Sequence, residues 1–257
     1  MKRTLVAVAL AITLSLAAAA QSKLPPLSQH RAGNPSAQLP ESKESPNLNV
    51  PSLCNPCIMY AGDLNPNDPN AAGMSDENTL FVPGGSSTYA EVDVPSGLTA
   101  TLKGVLFNVQ ASAAFDPFTA TYDVRTGVSE GNAGTSIASG SANLSVSATG
   151  RTFLGLNEYT LVVKFPAVTL TSGDYWVNLT PQCTNTLDGS CSVFRQFASN
   201  TTQKTNGFRG NWQPAHGMFL NSSFFGLTFA NWCDSALGFN QIQCGYMSYG
   251  LLGGVTQ

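Results

Sequence analysis

Oxygen ligands crowd the stretch GDLNPNDPNAAGMSDEN, from Gly62 to Asn78. Asp63, Asn65, Asn67 and Asp68 lie close together, the donor chemistry that a calcium ion takes. The first three match the opening ligand positions of an EF-hand loop. The sixth position is Asp68 where the sharp turn needs Gly, and the twelfth is Met74 where a bidentate Glu is needed. The stretch therefore reads either as an irregular calcium loop or as Asx turns, in which Asn and Asp side chains bond their own backbone. Calcium is the one ion the sequence suggests, and no cofactor is required.

Six cysteines, Cys54, Cys57, Cys183, Cys191, Cys233 and Cys244, fall in three close pairs. Six cysteines allow fifteen pairings, and the spacing favours the local bridges 54–57, 183–191 and 233–244. Cys54-Asn55-Pro56-Cys57 has the spacing of a thiol–disulfide oxidoreductase, but Pro66 and Pro69 deny it the following helix that activates such a thiol. A structural bridge is expected instead. The imidazoles are His30 and His216, and no G-x-S-x-G turn supplies an activated serine for His216. Asp116, Asp123, Glu130, Glu158 and Asp174 are carboxylates by type only, with nothing selecting a hydrolytic pair. Asp123 and Glu158, at alternate strand positions, are expected to face water. Trp212, Phe224, Phe225 and Trp232 could form a platform that stacks on sugar rings, or fill a core. No catalytic motif emerges, and the chain is not expected to be an enzyme.

The elements that would position these residues have a period of two. TYAEVDV sets Ala90, Val92 and Val94 on one face, and LTATLKGVLFNVQ sets Val105, Phe107 and Val109. FTATYDVRT alternates Phe118, Ala120, Tyr122 and Val124 inward, EYTLVVKF alternates Tyr159, Leu161, Val163 and Phe165, and GDYWVNLTP alternates Tyr175, Val177 and Leu179. LTSGDYW reads as a hairpin turning at Ser172-Gly173. Alternating strands bounded by Gly, Pro, Asn and Ser, without helical periodicity, predict an all-β antiparallel β-sandwich of jelly-roll-like form. Half of the aromatic residues lie between Phe194 and Tyr249, where short strands and ordered loops would close the fold.

The ends bound the address. Lys2, Arg3, an apolar run from Leu5 to Leu16 and Ala18-Ala19-Ala20 predict a signal peptide over 1–20. Residues 21–52, rich in Pro and Ser, read as a disordered leader, and 53–257 as a single domain. The formal charge is −3, becoming −5 once Lys2 and Arg3 are removed, and no basic stripe exists. That composition disfavours nucleic acid, and no later stretch is long enough for a membrane helix. A secreted protein, extracellular or periplasmic, is expected.

In order, GDLNPNDPNAAGMSDENTLFV, TYDVRTGVSEGNAGTSIASGSA, ATGRTFLGLNEYTLVV, LTSGDYWVNLTPQ and NSSFFGLTFAN resemble a group of secreted bacterial β-sandwich proteins, related to modules with C-terminal sorting signals. The resemblance spans roughly residues 60–252 and implies the fold and the export. It implies no activity and no catalytic residues, and the segment GLLGGVTQ does not read as the hydrophobic anchor of sorted relatives, so cell-surface retention by such an anchor is not expected. The function expected is a non-enzymatic extracellular module, adhesive or carbohydrate-binding, with a polysaccharide or cell-surface component as partner. A purely structural envelope or matrix protein is the alternative, and a glycan hydrolase a more distant one.

Overall fold

A computed structural model describes residues 49–64, 73–76, 84–111, 117–153, 155–182, 197–201, 209–210, 218–223, 226–231 and 246–257. Every regular element among them is a strand. These are β1 (Cys57–Tyr60), β2 (Gly73–Ser75), β3 (Ser87–Val94), β4 (Thr99–Ala111), β5 (Thr119–Thr126), β6 (Thr135–Phe153) and β7 (Leu156–Leu170). There follow β8 (Gly173–Gln182), β9 (Phe197–Thr201), β10 (Arg209–Gly210), β11 (Met218–Ser222), β12 (Leu227–Asn231), β13 (Tyr246–Met247) and β14 (Tyr249–Thr256). The order across the sheet is β10-β1-β14-β4-β7-β6-β5-β8-β3-β11-β12, with β9 joining β2, β13 and the end of β4. All ladders are antiparallel. Antiparallel all-β architecture is what the period-two pattern implies.

One long strand joins the two halves of this order. β6 pairs β5 from Thr135 to Asn143 and then pairs β7 from Leu144 to Phe153. The sheet therefore curls, so that Val92 of β3, Val124 of β5 and Val177 of β8 share one core with Phe107 of β4, Leu161 of β7 and Leu251 of β14. The curl has a local cause. Lys103 is an extra residue facing β14, between the partners of Leu252 and Gly253, while on the other side three β7 residues, Phe165, Pro166 and Ala167, stand against Lys103 alone. Gly253 has φ +144°, and a Cβ there would lie 1.9 Å from the Thr101 carbonyl oxygen. Pro166 lacks an N–H, and inside a sheet it fits only where the ladder is broken or at an edge. A bulge bends its strand and increases the local twist.

Three expectations are corrected. The hairpin at Ser172-Gly173 does not form: β7 lies between β4 and β6, β8 between β5 and β3. Thr171 and Ser172 instead carry the chain across a corner. A Ser-Gly pair supplies a bend in either case, and the edges already taken on β7 decide which one forms. Phe118, expected inward, is 69% exposed because it stands one residue ahead of β5. Finally, β4, β7 and β8 bury both faces over part of their length, since Leu106, Asn108, Gln110, Thr160, Val162, Trp176 and Asn178 are all buried. The outer cover over Leu106 and Val162 comes from Cys54, Tyr60 and Leu252, with Val50, Leu53 and Cys57 packed against them. Val50 and Pro51, grouped with the leader by composition, belong to this packed segment.

Candidate functional site

The second, buried face of β4 and β7 carries polar side chains in adjacent rows. Asn108 stands opposite Thr160, and Gln110 opposite Glu158. An unpaired buried amide or hydroxyl costs more than a hydrogen bond returns, so such a face must build a network, and it does. Thr160 Oγ1 donates to Asn108 Oδ1 at 2.7 Å. Asn108 Nδ2 donates to the Tyr60 hydroxyl at 2.6 Å and to Ser248 Oγ at 2.7 Å. Ser248 Oγ donates to the Gly62 carbonyl at 2.6 Å. The Tyr60 hydroxyl donates to Asp63 Oδ1 at 2.5 Å, and Arg151 Nη2 pairs with the same oxygen at 3.0 Å. Arg151 Nε closes the chain on Glu158 Oε2, which also accepts from Thr149 Oγ1 at 3.0 Å.

Local geometry aims the last two donors. Between Ala148 and Thr152 the β6–β7 register slips, so Thr149, Gly150 and Arg151 face Glu158 alone. Gly150 takes φ +80°, and the resulting bulge turns both Thr149 and Arg151 onto one carboxylate. Bulges re-aim side chains in this way. Glu158 is 1% exposed, and its Oε1 and the neighbouring Gln110 Nε2 are buried without a hydrogen-bond partner. Burial pushes the Glu158 carboxyl pKa up, more than Arg151 and Thr149 pull it down. Burial also drives the Tyr60 hydroxyl well above its ordinary range, helped by the charge of Asp63. For Arg151 burial opposes the charge, but Glu158, Asp63 and Tyr60 outweigh it and its pKa rises.

A pocket of about 300 Å³ opens over this network. Its walls are the segment Asn49 to Leu53 on one side, Ser147, Ala148, Thr149 and Arg151 of β6 on the other, and Asp63 and Thr160 between them. That volume is at the lower end for ligand pockets. The Cys54–Cys57 disulfide staples the turn that follows the first wall. Asn49, Ser52, Ser147, Thr149 and Thr160 bring hydroxyl or amide groups to the lining, and Val50, Pro51, Leu53 and Ala148 bring apolar surface. Its one cation, Arg151, is already held by two carboxylates.

A second polar cluster sits on the other side of the curl. Arg125 lies over the rings of Tyr89 and Phe229, 5.8 and 5.4 Å from their centroids. Its Nε pairs with Asp123 Oδ2 at 2.5 Å, and its Nη1 donates to the Ala133 carbonyl at 3.0 Å. The Tyr89 hydroxyl and Ser136 Oγ also donate to Asp123, at 3.0 and 2.6 Å. Tyr89, Val128, Trp176, Phe219 and Phe229 form a small apolar core there. Glu130 Oε2 accepts from the Asn231 N–H at 2.7 Å, tying the 127–134 turn to β12.

Asp123 and Glu158 thus do not face water. Asp123 is mostly covered beneath Arg125, and Glu158 is buried beneath Arg151. The cause is the second buried face, which strict alternation hides. Asp174 stands opposite Asp93 on β3. Of the calcium candidates, Asp63 is bound to Tyr60 and Arg151, while Asn65, Asn67 and Asp68 lie outside the described residues. So do Trp212, Phe224, Phe225, Trp232, His30, His216, Asp116 and the cysteines 183, 191, 233 and 244. Arg151, Tyr60, Asn108 and Thr149 were not singled out from the sequence. The available signal was the polar Asn108 and Gln110 within the apolar run VLFNVQ, matched by Glu158 and Thr160 in EYTLVV. No protein-family model matches the chain, and the search of curated proteins found no match.

Proposed function

We propose that the chain is a secreted, non-catalytic module of jelly-roll-like sandwich form that binds a hydroxyl-rich ligand, a glycan unit of an extracellular polysaccharide or cell surface, in the Arg151 pocket. The observation that carries this reading is the lining. Four hydroxyls and the Asn49 amide share the lining with apolar surface and with one guanidinium whose charge is already balanced, a mix that favours a neutral polyol over an anion. The pocket's ionisable groups are engaged with one another and so are poorly placed to transfer protons to a substrate. Calcium bound through the Asp63 to Asp68 stretch is part of the same proposal, since that stretch begins at the pocket wall.

Thermal unfolding against soluble polysaccharides and their monosaccharides, in calcium and in EDTA, tests the proposal. A ligand at 100 times its dissociation constant adds about 2.7 kcal/mol. The rise is expected in the parent chain and lost in Ser147→Trp, whose side chain starts exposed at the pocket wall and would fill it. A flat response to every glycan sinks the binding reading and leaves the structural one.

A further inference from the structure

The geometry points to a second copy of this chain as the occupant of the open edge of β6, joined by antiparallel pairing about a two-fold axis near Gly140. From Thr135 to Asn143 the strand is laddered to β5 and to no other described strand, so among the described residues its far edge has no backbone partner. Thr135, Ser136, Ile137, Ser139, Gly140, Ser141 and Asn143 are all exposed. Open edges recruit other strands, and proteins usually guard them with charge, proline or bulges. Here no side chain from Thr135 to Gly150 is charged and none is proline. The one irregularity is the extra residue Ile137, which leaves Ala138 to Asn143 regular.

Two observations select a second copy over an unrelated strand. The edge is neutral and small, so facing itself it sets no like charges opposite each other. Moreover, the described residues expose two large hydrophobic side chains, Phe118 and Ile137, and they stand at opposite ends of this ladder. Phe118 precedes Thr119, the partner of Asn143, and its carbonyl accepts from Leu144 N–H at 2.9 Å. A two-fold at Gly140 sets Ser139 opposite the second copy's Ser141 and Ile137 opposite its Asn143. Each Ile137 then arrives at the end that carries the other copy's Phe118. A two-fold interface closes on itself, so the product is a dimer and not a fibre.

Sedimentation velocity on the purified full chain over a concentration series tests this. The variants are Ser139→Lys/Ser141→Lys and Ser139→Glu/Ser141→Glu, at exposed positions, with melting temperature as the check on folding. The parent is expected to dimerise. Each variant alone should dimerise at least about tenfold more weakly, because like charges meet across the axis, and an equimolar mixture should recover a heterodimer. A parent that stays monomeric at its highest soluble concentration overturns the proposal. So does a dimer that both variants leave intact, or a mixture that fails to recover it.

Discussion

Replacing Arg151 with alanine should uncover a buried charge, and the structure says how much that costs and at what pH. Arg151 Nε meets Glu158 Oε2, a side chain with no exposed surface, and its Nη2 meets Asp63. Removing one partner of a buried pair typically costs about 3–5 kcal/mol. Arg151 is 29% exposed, so solvent reaches the site and the lower end applies, about 3 kcal/mol at pH 8. In a chain of this size that is roughly 6–12 °C of melting temperature. The pH dependence has a definite sign. Glu158 already has a folded pKa above its unfolded value, so as pH rises from the unfolded pKa to the folded pKa its contribution turns against folding. Without Arg151 the folded pKa climbs further, and the penalty grows over a wider window. Urea unfolding of parent and Arg151→Ala at pH 4.5 and pH 8 should therefore show a loss that shrinks to about 1 kcal/mol or less at the acid end. Adding Glu158→Gln to the variant should restore most of the loss at pH 8. Equal losses at the two pH values, or no rescue by Glu158→Gln, would refute the reasoning.

Three further outcomes are expected. Asp93 and Asp174 oppose each other across β3 and β8, and burial together with Asp174 raises the Asp93 pKa. Asp93→Asn should stabilise by a few tenths of a kcal/mol at neutral pH and low salt, a gain that denaturant melts should find absent below about pH 4 and reduced in high salt. Gly253→Ala must place its Cβ against the Thr101 carbonyl at a φ that alanine disfavours, so calorimetry should show a loss of about 3 kcal/mol or failure to fold. Cys54→Ala/Cys57→Ala should cost about 2 kcal/mol and loosen the Asn49–Leu53 wall. Hydrogen exchange should then rise at Ser52 to Tyr60 before it rises in β4 or β7.

What the sequence disclosed and what it hid divide along a physical line. Alternation reports which residues of a strand point to a core, so Ala90, Val92, Val105, Phe107, Leu161, Val163, Val177 and Leu179 were readable as core, and all are buried. The same signal is silent when a strand is covered on its second face. There, Asn108, Gln110, Glu158 and Thr160 look like solvent-facing positions although each is buried. Asn108 is met by Tyr60 and Ser248, and Glu158 by Arg151 and Thr149, all contributed from other strands or turns. The Cys54–Cys57 bridge was legible because a three-residue separation leaves little choice of partner. The corner at Ser172 was not, because hairpin and corner use the same turn residues and differ only in which edges are already occupied. Arg151 was hidden for a related reason: its aim depends on a slip in register that only the paired strand defines.

The neighbourhood of β1 and β14 bears on how the fold would carry load. These strands are antiparallel partners, with Cys57 beside Leu252 and Tyr60 beside Gly250. Residues before β1 and residues after β14 therefore leave from the same end of one ladder. Tension applied between them pulls the two strands apart sideways, breaking the bonds one after another like a zip, instead of shearing all of them at once. β1 is only four residues long, so it should peel away at low force and take the outer cover of the Arg151 network with it. Built this way, the protein is a poor tensile link, and the pocket would be the first feature that stretching erased.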